Sequence, residues 1–118
     1  AFSAGSHPRG AVHPLAIELL REHRLPVDGL RSKSWHEFAA PGAPAIDVVI
    51  TVCDSAAAEP CPVWPGRPAT LHWSVLDPAS VTGSEAARRQ AFRDTMRRLR
   101  ARIETWVGGP LDPARRVD

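Results

Sequence analysis

Two thiols, Cys53 and Cys61, stand eight residues apart in this 118-residue chain, and they are its only cysteines. Thiols so placed can exchange a disulfide, a thiolate attacking sulfur and a thiolate leaving. Cys53 closes the apolar run Ile46-Asp47-Val48-Val49-Ile50-Thr51-Val52, which reads as a buried strand. In an α/β chain the carboxyl end of a strand is where ligands bind. Cys61 heads the segment Cys61-Pro62-Val63-Trp64-Pro65-Gly66. The pair therefore points to redox chemistry. Two other readings stay open: an inert thiol at a strand end, and a structural metal site. Zinc generally takes four ligands at closer spacing, and His72 is the obvious third candidate.

The elements that must hold these residues fit one domain, residues 1–118, of 12.8 kDa. The chain is 43% hydrophobic and 24% charged, as soluble globular proteins are. A formal charge of +2 is too small to imply a nucleic-acid or membrane partner. Twelve prolines, spread singly, mark turns and no disordered tract. No apolar stretch approaches the ~18 residues of a membrane span. The N-terminus lacks a basic region followed by an apolar core, so no signal peptide is visible. Two cysteines are too few to staple a secreted mini-protein, and a cytoplasmic setting is expected. Met96 is the only methionine, so the sequence is expected to begin part-way into a longer protein.

Along the chain, Ala1-Phe2-Ser3-Ala4 is a candidate strand before a Gly5-Ser6-His7-Pro8-Arg9-Gly10 turn. Pro14 suits the first position of a helix running to about His23, with Val12, Leu15, Ala16, Leu19 and Leu20 on one side. Ser34, with Glu37 three residues later, opens a short helix as a capping box does. The strong strand ends at Val52, and Asp54 to Glu59 is Ala-rich enough for a turn or two of helix. Ala69 to Trp73 is a further strand, and Asp77-Pro78-Ala79-Ser80 a loop. A long helix from Ser84 to about Val107 carries Phe92, Met96, Leu99, Ile103 and Trp106 as one stripe facing a core. Its Arg88, Arg89, Arg93, Arg97, Arg98, Arg100 and Arg102 fall on the other sides, a solvated face and no nucleic-acid surface. Trp35, Trp64, Trp73 and Trp106 are packing residues, and Trp64 is a candidate cover for its neighbouring cysteine. Gly108-Gly109-Pro110 stops the helix, leaving residues 108–118 as a tail. Strands alternating with helices give an α/β fold with a small parallel sheet flanked by helices.

Several pieces, in order, carry a resemblance over roughly Ala1 to Val107. They are Ser3-Ala4-Gly5, Val12-His13-Pro14-Leu15-Ala16, Arg31-Ser32-Lys33-Ser34 and Val49-Ile50-Thr51-Val52-Cys53-Asp54. The Cys61-Pro62-Val63-Trp64-Pro65-Gly66 segment, His72-Trp73 and Asp77-Pro78 complete the set. So arranged, the chain resembles the thioredoxin-coupled arsenate reductases, which share the fold of low-molecular-weight protein tyrosine phosphatases. The resemblance implies a cysteine relay. A nucleophilic cysteine in a phosphate-cradling loop attacks arsenate, and Cys53 attacks that cysteine and releases arsenite. Cys61 then attacks Cys53 and presents a Cys53–Cys61 disulfide to thioredoxin. Asp77 would be the general acid that protonates the leaving oxygen. No cofactor or metal is implied.

The cradling loop, of the form Cys-x-x-x-x-x-Arg-Ser, does not occur in these residues. In the resembling family it follows a first strand lying mid-sheet, so the chain reads as starting at the second. Without a central strand its neighbours' edges go unpaired, at about 1–3 kcal/mol for each unsatisfied buried backbone group. Several such groups would rival the ~5–15 kcal/mol stability of a small domain. A longer polypeptide, a second copy or a strand-donating partner is therefore expected to complete the sheet. Two other functions compete with arsenate reduction. A phosphatase on the same fold would need Asp77 and a nucleophile but no thiol pair, and this chain has no tyrosine after its Asp77-Pro78, where such phosphatases carry one. A non-catalytic redox or binding module would form the disulfide without responding to arsenate.

Overall fold

The computed structural model describes residues 1–54, 62 and 64–108, and the chain divides into two compact units, Ala1–Leu76 and Asp77–Asp118. The first unit opens on helix α1, Pro14–Glu22. Proline at its first position gives up a donor no helix could use, and His13 Nδ1 accepts the Leu15 N–H at 3.1 Å. Leu15 and Leu19, one turn apart, are buried. The chain leaves α1 through Arg24, at φ 57°, with the Leu25 N–H bonded to the Leu20 carbonyl at 2.9 Å. That closure is the one glycine usually supplies.

A 3₁₀ turn, Trp35–Ala39, follows. Ser34 caps it, accepting the His36 N–H at 3.2 Å. The capping box expected here does not close: Glu37 turns to Arg31 instead, in a fork of 2.8 and 2.6 Å. A charge-assisted pair outcompetes a bond to one backbone N–H. Arg31 thereby holds the Glu37 carboxyl below the usual carboxylate range. Trp35 is buried edge-on against Trp64, ring centroids 5.8 Å apart, and Trp64 Nε1–H donates to the Trp35 carbonyl at 3.3 Å. Trp64 thus serves the core, its indole closed on Trp35.

Strands β1, Val48–Thr51, and β2, Ala69–His72, form a parallel sheet in the register Val48↔Ala69 to Thr51↔His72. The pairing runs on past both strands. The Trp73 N–H donates to the Thr51 carbonyl at 2.8 Å, and the Val75 N–H to the Val52 carbonyl at 2.9 Å. A strand expected at Ala1–Ala4 does not form. The backbone there makes one parallel bridge, Gly5↔Ser34, before bending at Ser6 and His7. Pro8 has no N–H to continue a ladder, and Phe2 packs on Phe38 at 5.4 Å instead. Parallel strands and helices make the class α/β, as expected, with two strands in the sheet among the described residues.

In the second unit Asp77 caps a 3₁₀ turn, Pro78–Ser80, which packs on helix α2, Glu85–Trp106. Ser84 caps α2, its hydroxyl accepting the Ala87 N–H at 3.1 Å. The apolar stripe is covered only over its first half, which corrects the continuous core face expected. Phe92 is buried and Met96 and Leu99 half-buried, but Ile103 and Trp106 are 38% and 46% exposed. A 22-residue helix is about 33 Å long, and a three-residue turn cannot cover it. Apart from the half-buried Arg89, these arginines are exposed as expected, and pairs run along the helix as Arg89–Glu85, Arg97–Asp94 and Arg100–Glu104. Among the described residues no helix is long and apolar enough to cross a membrane.

Candidate functional site

The end of β1 delivers Cys53 to the surface: it lies two residues past Thr51 and is exposed. The residues on either side of it are tied to the end of β2 and the segment that follows it. Val52 is held through its carbonyl by Val75, and Asp54 through its carboxylate. Asp54 Oδ1 accepts from His72 Nε2 at 2.8 Å and from Ser74 Oγ at 3.0 Å. The other ring nitrogen, Nδ1, meets Thr51 Oγ1 at 2.7 Å. One imidazole therefore spans from the last residue of β1 to the residue after Cys53.

The register explains the convergence. His72 is the parallel partner of Thr51, and Ser74, two residues on, projects to the same face as His72. An ionised carboxylate only accepts, so His72 Nε2 carries hydrogen. In the neutral ring Nδ1 then accepts from the Thr51 hydroxyl. In the charged ring Nδ1–H donates to Thr51, whose own hydrogen can turn to the Leu71 carbonyl at 3.4 Å. Both states keep each polar group bonded. The hydrogen bonds from His72 first, then Ser74, hold the Asp54 carboxyl below its ordinary value, and attraction to His72 adds to them.

Hydroxyl, imidazole and carboxylate in this order resemble a nucleophilic triad. Burial decides against that use, because Thr51 is 8% exposed and its hydroxyl is turned to the ladder at Leu71. The arrangement is a clasp.

Asp77 belongs to the second unit, where Oδ1 accepts the Ala79 N–H at 2.9 Å and the carbonyl accepts the Ser80 hydroxyl at 2.6 Å. Its local setting is that of an Asp-Pro turn. Cys61 lies outside the described residues, as do residues 55–59 of the helical turn expected after Cys53. Among the described residues, which leave out Cys61, no group of three ligand-type side chains could hold an ion, and the two His72 nitrogens meet Thr51 and Asp54.

Thr51, Asp54 and Ser74 were not legible as site residues in the sequence. The signal was present as Asp54 beside Cys53 and His72-x-Ser74 on one strand face, but only the register joins them. Comparison with known families matches residues 1–115 to the one described as low molecular weight phosphotyrosine protein phosphatase. No curated protein matches the chain.

Proposed function

We propose that this chain, which belongs to the low molecular weight phosphotyrosine protein phosphatase family, serves arsenate reduction through a thiol relay. The loop thiolate attacks arsenate and water leaves, giving a sulfur–arsenic bond. Cys53 thiolate attacks that sulfur, and arsenic departs with the bonding pair as arsenite. Cys61 then displaces the first thiol from Cys53, and the Cys53–Cys61 disulfide takes two electrons from thioredoxin or a similar dithiol. Asp77 is the general acid of the leaving oxygen. The first step calls for a cysteine in addition to Cys53 and Cys61, so the reaction is that of the protein together with its cradling loop. A reducing, cytoplasmic setting suits this chemistry.

The observation that supports the reading is the exposed Cys53 thiol at the carboxyl end of β1, with Cys61 eight residues on. A second reading, phosphomonoester hydrolysis, is favoured by the family's own description. One pair of assays separates them. Arsenate-dependent oxidation of NADPH through thioredoxin and its reductase, lost in Cys53→Ser and Cys61→Ser, supports the relay. Hydrolysis of p-nitrophenyl phosphate that is indifferent to Cys61→Ser, without arsenate turnover, supports the phosphatase.

A further inference from the structure

Cys53 is bracketed more tightly than an exposed turn needs. The segment from His72 to Val75 supplies a backbone donor to Val52 on one side, at 2.9 Å, and two side-chain donors to Asp54 on the other, at 2.8 and 3.0 Å. The turn between cannot swing outward without breaking the Asp54 contacts. The same contacts fix a negative charge on the residue next to the thiol. A like charge close by disfavours the thiolate, which is the nucleophilic form.

We propose that Asp54, held by His72 and Ser74, is a positioning residue that restrains the reactivity of the Cys53 thiol. The inference gives the relay above a means of keeping Cys53 quiet until its turn opens, and it rests on that reading for its purpose. Its test needs neither arsenate nor thioredoxin. Loss of arsenate turnover would sink the relay and leave the restraint standing.

The experiment uses the full chain carrying Cys61→Ser, so that Cys53 is the sole thiol, and follows alkylation by iodoacetamide through the intact mass. Asp54→Asn keeps an acceptor oxygen and drops the charge. It should react about threefold faster than its parent, as the thiolate fraction rises with loss of the neighbouring charge. Asp54→Ala removes charge and clasp together and should react about tenfold faster. His72→Phe should also speed the reaction, while His72→Gln, whose amide N–H can replace Nε2–H, should restore a rate near the parent's. That rescue separates positioning from a merely structural histidine. Circular dichroism confirms folding, and the isosteric Asp54→Asn provides a folded variant if Asp54→Ala does not. Parent-like rates in both Asp54 variants would overturn the proposal, as would equal rates in His72→Phe and His72→Gln.

Discussion

His72 Nε2 lies 2.8 Å from Asp54 Oδ1, joining the end of β2 to the residue that follows Cys53. The contact follows from the parallel register, which sets His72 beside Thr51 and lets one ring reach both ends of the turn. A strand end is thereby made rigid beside a thiol that faces solvent.

The clasp should register in acid stability. Hydrogen bonds from His72 and Ser74 depress the Asp54 carboxyl below its unfolded value. Its contribution is therefore present above the unfolded carboxylate value of ~3.9, and is lost as pH falls through the lower folded one. Thermal melts of parent and Asp54→Asn should differ most near neutral pH and converge once the pH has fallen through that lowered folded value. A gap of constant size across that range would show that ionised Asp54 contributes nothing.

Arg24 holds a left-handed backbone, φ 57°, at the end of α1, where a side chain is strained. Arg24→Gly removes the strain and loses some chain entropy to the unfolded state. The balance should favour the variant by about 0.5–1 kcal/mol, read as a raised urea midpoint. A lowered midpoint would contradict the assignment of this closure.

Core and surface should separate cleanly along the apolar positions. Leu19→Ala opens a hole beneath α1 and should cost about 2–3 kcal/mol, the low end for a leucine in a small core. Ile103→Ala on the exposed half of α2 should cost less than about 1 kcal/mol. Denaturant titrations of both variants decide the matter. Equal losses would mean that the second half of α2 is covered in solution.

Local signals carried most of the fold. Pro14 at a helix start, Ser34 and Ser84 as caps, and the β-branched run of β1 each form what their residue types dictate. Ala1–Ala4 misled because a short segment before a turn describes a strand without naming its partner. The α2 stripe misled for a related reason: periodicity shows which face is apolar, while only tertiary packing decides how far it is covered. The place of Cys53 just past the end of a strand was legible from the apolar run before it. The clasp was not, since Asp54 and His72 are eighteen residues apart and meet only through the pairing of β1 with β2.

The central claim is that arsenate drives a disulfide between Cys53 and Cys61. The direct measurement is mass spectrometry of the tryptic peptide that carries both cysteines, taken from protein exposed to arsenate with reductant removed and its cradling loop present. The account predicts a peptide about 2 Da lighter that resists alkylation until a dithiol is added. A peptide of unchanged mass, alkylated at both cysteines after arsenate, would contradict it.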